Sequence, residues 1–139
     1  MKATELMIGD LVRVNRDGLC IKKGTIVEVR AVDVDDTLKE KGLIGSTRCR
    51  PLNDDQFDGG IWCEHLDPLL LTPKILEKNG FVSKDFFAEL VCGDYRILSD
   101  AKHIAIIHGD HADLDIPICF VHELQHCLKR VGIDNEIAL

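Results

Sequence analysis

The sequence predicts an α+β fold: a small β-barrel over residues 1–71, then a helix, a short antiparallel sheet and a C-terminal helix over residues 72–139. Three observations carry this. β-branched residues recur with a period near two in the first half, as half-buried strands require. LTPKILEKNGF holds the start and stop signals of a short helix. IPICFVHELQHCLKRVG places apolar residues at helical spacing between Pro117 and Gly132.

The strands come first. LVRVNRDG sets Leu11, Arg13 and Asn15 against Val12 and Val14, and Gly18 turns the chain. KKGTIVEVRAVDVDD supplies Ile26, Val27, Val29, Ala31 and Val32. STRCRPL reads as a strand limited by Pro51, and GGIWCEHLDPLLL as another, holding the only tryptophan. Four or five short strands in so short a segment predict a barrel, because closure removes exposed edges. Trp62 is expected to fill its core; a binding ledge of Trp62 and Phe57 is the alternative. DDTLKEKGLIG is ambiguous, with room for one helical turn ending at Gly42. NDDQFDGG reads as an acidic surface loop without the ligand spacing of a calcium loop.

In the second part, Thr72 can cap a helix, Pro73 suits its first position, and Gly80 suits the left-handed residue after it. Ile75 and Leu76 can face the core, with Phe81 folding back over them. FFAELVCG fits strand or helix. DYRILS and AKHIAIIHG read as a hairpin around Ser99-Asp100-Ala101, and DHADLD as an acidic loop. The C-terminal helix is expected over 117–131, with Pro117 in its first turn and Gly132 past its end. The tail DNEIAL frays or packs briefly.

Charge and composition narrow the function. The chain of 139 residues has a formal charge of −7. Its acids outnumber its bases everywhere except residues 1–30. A wide electropositive face for nucleic acid is therefore not expected. A small basic patch from Arg13, Arg16, Lys22 and Lys23 leaves weak nucleic acid binding as an alternative. No apolar run approaches the length of a membrane helix, and MKATELMIGDLVRV lacks the apolar stretch of a signal peptide. The expected location is cytoplasmic, without membrane association. The six cysteines form no CxxC pair and are expected as thiols.

One motif carries catalytic chemistry. His122-Glu123-Leu124-Gln125-His126 is an HExxH. On a helix, histidines at i and i+4 can reach one zinc ion, and the glutamate can act on the metal-bound water. A third ligand must come from elsewhere. His108 and His111 are the best placed, with Asp110 or Asp113; His103 and His65 lie further off, and Asp134 or Glu136 needs the tail to fold back. Projected at about 100° per residue, Phe120, Val121, Leu124, Cys127, Leu128 and Val131 form one apolar stripe. His122, His126 and Lys129 fall on the opposite side, and Glu123 shares a flank with Arg130. Both histidines are thus expected to face outward, as polar groups on a surface helix.

Other constellations are weaker. No glycine-rich nucleotide loop and no GxSxG is present. Cys63 and His65 on one strand, with Cys49 on its neighbour, permit a ligand pair but lack further ligands. A Cys-His nucleophile pair there has no orienting third group.

GDLVRVN, KGTIVEVRAV, LLLTPKILEKNGF and IPICFVHELQHCLKRVGI together resemble a family of small uncharacterised proteins of Bacteroides-like bacteria and their phages or prophages. The likeness spans most of the chain, in the order LTxxILxxNGF … [FY]VHELQ. It implies an SH3-like or KOW-like barrel in the first part and no known activity. It also implies that His122, Leu124 and Gln125 match the family pattern, whereas Glu123 and His126 vary, so that the full HExxH is incidental.

The sequence therefore favours a non-enzymatic accessory or protein-interaction protein of phage or mobile-element origin, without catalytic residues, metal or cofactor. A zinc-dependent hydrolase with Glu123 as base and His122, His126, His108 and His111 as candidate ligands is the first alternative. Weak nucleic acid binding by the N-terminal barrel is the second.

Overall fold

The computed structural model describes residues 1–34, 45–54, 58–133 and 136–139. The helical turn expected around Gly42 and the Phe57 half of the aromatic ledge lie outside them. The chain forms two compact units, Met1–Leu69 and Leu70–Leu139.

The first unit is one antiparallel sheet. Its strands are β1 (Leu11–Val14), β2 (Ile26–Val34), β3 (Gly45–Pro51), β4 (Gly59–Trp62) and β5 (Leu66–Pro68), in the order β4-β3-β2-β1-β5. The barrel expected from the sequence is not formed: β4 and β5 are the two edges, and they do not pair. The SH3-like barrel implied by the resemblance is corrected with it.

The physical reason lies at the seam. A single 3-10 turn, Cys63–His65, carries the chain from one edge to the other. Three residues can span only about 10 Å, so the sheet is strongly curled. Yet carbonyls of the turn and its flank are already taken. The Met1 α-amino group donates to the carbonyls of Cys63 and Leu66 at 3.0 and 2.9 Å. Asn15 donates through its backbone N–H to the His65 carbonyl at 2.9 Å and through Nδ2 to that of Glu64 at 3.1 Å. Short edge strands and capped carbonyls leave no ladder with which to close.

The period-two pattern places Val12, Val14, Val27, Val29, Ile61 and Leu66 inside this curl. Ala3 joins them from a short N-terminal 3-10 turn. Space is tight there. A Cβ on Gly45 would sit 2.5 Å from the Ala3 Cβ and 3.3 Å from the Cys63 Sγ.

The second unit holds α1 (Pro73–Lys78), β6 (Val82–Ser83), β7 (Ala88–Cys92), β8 (Tyr95–Ser99), β9 (His103–His108), β10 (His111–Pro117) and α2 (Val121–Arg130). Its sheet is an antiparallel meander, β10-β9-β8-β7-β6. Thr72 Oγ1 accepts from the Ile75 N–H at 3.3 Å at the start of α1. Gly80 follows α1 with φ +82, a conformation that glycine adopts without the cost of a side chain. Leu76 and Phe81 are buried, as the spacing predicts.

Three expectations change. FFAELVCG resolves to strand β7. DHADLD is not a loop but most of β10, paired with β9 through Gly109-Asp110. Pro117 ends that strand, so the helix begins at Val121 rather than Pro117. The Ile118 N–H donates to the Lys102 carbonyl at 2.7 Å, which keeps the chain extended past the proline. The tail is held from the end of α1: Asn79 Nδ2 donates to the Ala138 carbonyl at 2.9 Å, the Ala138 N–H donates to Asn79 Oδ1 at 2.8 Å, and Lys78 Nζ donates to the Leu139 carbonyl.

Gly45→Ala is expected to destabilise the protein by about 1–3 kcal/mol, the usual cost of overpacking a filled core. Urea unfolding followed by circular dichroism measures it, and an unchanged midpoint contradicts the packing described.

Candidate functional site

The HExxH lies on α2 as the spacing requires, but its groups do other work. The Glu123 carboxylate turns back over the helix start. Its Oε2 accepts from the backbone N–H groups of Cys119 and Phe120 at 2.6 and 3.0 Å. These precede the first helical residue, where N–H groups have no partner within the helix. The carboxylate proposed as a catalytic base is thus a helix cap.

His122 departs from the projection. It is 5% exposed, and its Nδ1 is sealed from solvent. Its ring stacks on Phe120, with centroids 5.8 Å apart, and meets His126 edge-on at 5.6 Å. Gln125 is buried as well. The apolar stripe of Val121, Leu124, Cys127 and Leu128 is buried as predicted, but the helix is covered over a wider arc than that stripe. His126 is half-buried. The expectation that both histidines face outward is corrected by the burial of His122.

The other zinc candidates do not complete a site. His108 and His111 face each other across the β9–β10 register, both exposed, and the His108 ring lies on Tyr95 at 4.6 Å. Among the described residues, no group of three or more His, Cys, Asp or Glu could hold a metal ion. The side chain of Asp113 and the whole of Asp134 lie outside those residues. The described side chains therefore do not fit a catalytic zinc, which needs three protein ligands and a free glutamate.

Cys49 and Cys63 are buried in the first unit. Burial raises the Cys49 thiol from 9.0 to about 11, against a hydrogen-bonding contact with Thr47 Oγ1 at 3.2 Å. Burial raises Cys63 too, partly offset by the positive Met1 amino group. Thiolates are the reactive form, so burial disfavours both as nucleophiles at neutral pH.

The sequence reading missed a concave feature of the first unit. Trp62 does not fill the core: it is 48% exposed. It stands on β4 beside a cleft of about 840 Å³. Ile61 and Val14 line this cleft from the sheet, and Arg16 and Leu19 from the β1–β2 loop. Pockets of about 300–1,000 Å³ are the usual size of ligand sites. Strand alternation could have found it, since buried Ile61 forces Trp62 to the other face. The basic residues Arg13, Arg16, Lys22 and Lys23 are exposed on the same stretch, and among the described residues none of them forms an ion pair. In the second unit, Phe86 and Phe87 are exposed in the β6–β7 turn.

Comparison with protein-family models, curated proteins and solved structures returned no match. The resemblance to small Bacteroides-like and phage proteins thus stands on its motif residues alone. No helix among the described residues is long and apolar enough to cross a membrane.

Glu123→Ala is expected to cost roughly 1 kcal/mol, as loss of a helix cap does. Glu123→Gln, which keeps an acceptor oxygen, costs less. Equal losses in thermal unfolding contradict the capping role. The raised Cys49 thiol sets a second expectation. Folding favours the protonated form, so its stabilising contribution is complete below pH 9.0 and disappears toward about 11. The wild-type urea midpoint should fall more steeply than that of Cys49→Ala across this window; parallel profiles contradict it.

Proposed function

We propose that this protein is a non-enzymatic interaction module that engages a protein partner through the cleft beside Trp62. The observation that carries this reading is the half-exposed tryptophan at the mouth of that cleft. A large apolar ring left in water lowers solubility unless something covers it, and tryptophan is among the residues most enriched at the energetic centres of interfaces. The engagement of Glu123 by the helix start supports the non-enzymatic half of the reading. A phage or mobile-element origin, implied by the resemblance alone, is compatible with such an accessory role.

Two measurements test it. Protein purified without added metal or a polyhistidine tag is expected to carry only substoichiometric zinc, and His126→Asn to fold alike. One zinc per chain, lost in that variant, favours the hydrolase instead. A photo-crosslinking residue at Trp62 is expected to give a discrete protein adduct in cells, absent when it replaces exposed Val91 in the second unit. No adduct at Trp62, or the same one at both positions, overturns the reading.

A further inference from the structure

We infer that the cleft binds an extended, acidic peptide segment of the partner, which adds to the free edge of β4 as a sixth strand; this rests on the reading of the cleft as an interaction site. The argument starts from which residues border it. Gly59, Gly60, Ile61 and Trp62, the whole of β4, all line the cleft. Successive strand residues point to opposite faces. A groove lying over one face would meet alternate residues only. One that meets four in a row runs along the edge, where the backbone is.

That edge is available. β4 ends the sheet order, with β3 on one side and, among the described residues, no strand on the other. Gly60 is exposed and a Cβ built on it meets nothing within 4 Å, so the outer face of β4 is open beside that edge. An incoming strand would find backbone donors and acceptors along β4 and apolar surface for alternate side chains. Ile61 and Val14 give the buried side of that surface, and Trp62 and Leu19 the exposed walls. This is the general geometry of strand addition, in which main-chain bonds supply affinity and side-chain pockets supply selectivity.

Charge selects among extended peptides. Arg16 borders the cleft, and Lys22 and Lys23 are exposed further along the same loop. Asp17, the acid in the lining, accepts from the Lys23 backbone N–H at 2.9 Å. In a chain of formal charge −7, Arg16, Lys22 and Lys23 against the single Asp17 leave this loop wall of the cleft net positive, and an acidic segment complements it.

The test uses the full chain. Bead-bound octapeptides alternating acidic and apolar residues, without tryptophan, are screened for binding. Hits are confirmed by the change in fluorescence of Trp62, the chain's only tryptophan. Binding is expected to fall by about tenfold or more when the peptide amides of one register are N-methylated, and little when the other register is methylated. Arg16→Glu should shift preference to lysine-containing peptides. Trp62→Ala should lose binding with unchanged circular dichroism.

Equal tolerance of methylation in both registers overturns strand addition, as does failure to select any peptide. If the Trp62 photoadduct persists after such a failure, the interaction site stands and only the peptide inference falls. Preferential, salt-sensitive binding of single-stranded oligothymidine overturns it in favour of nucleic acid. A concentration-dependent dimer abolished by Trp62→Ala overturns it in favour of a second copy of the chain.

Discussion

The passage of the chain through Cys63–His65 governs the first unit. Three residues link the last strand of one edge to the strand of the other, and their length sets how far the sheet must curl. The curl, with Ala3 and Leu6 from the N-terminal segment, encloses Val12, Val14, Val27 and Val29. The same passage stops short of closure, because Met1 and Asn15 take the carbonyls of the turn and its flank. The cleft beside Trp62 lies along the unpaired edge that this arrangement leaves. Core, open seam and candidate site are therefore outcomes of one local connection.

The C-terminal helix shows how the residues of a motif can be engaged by the fold itself. A glutamate three residues into a helix has two competing uses, a ligand's water or the bare N–H groups at the helix start. The second needs no cofactor and is always within reach. Here two backbone donors hold the carboxylate. The adjacent histidine, packed against Phe120, contributes a flat, mostly apolar face. On this helix the first two letters of HExxH are a packing residue followed by a cap.

What the sequence made legible was local. The helix at Pro73–Lys78 was readable because its cap, its proline and its terminal glycine sit within nine residues. Strands β1 and β2 were readable because alternation is a nearest-neighbour property. Barrel closure was not readable, because it depends on hydrogen bonds between strands distant in sequence. The burial of His122 was not readable either: projection finds the apolar face of a helix but says nothing of what covers its remaining sides. Trp62 was misplaced by its size alone, although the strand pattern around Ile61 already assigned it outward. DHADLD was misread because its polarity suggested a loop, whereas pairing with HIAIIH on β9 made it a strand.

The paired glycines of β4 bear on how the protein behaves in concentrated solution. Glycine is a poor strand former, and half of this four-residue edge is glycine. Two copies meeting edge to edge would each bring a pliable, side-chain-poor strand, and the ordering cost would fall on both. A segment rich in β-branched residues would bring the stiffness that this edge lacks. The edge is therefore a weak template for its own kind and a better one for a rigid guest, which allows an unpaired strand to persist without seeding aggregation.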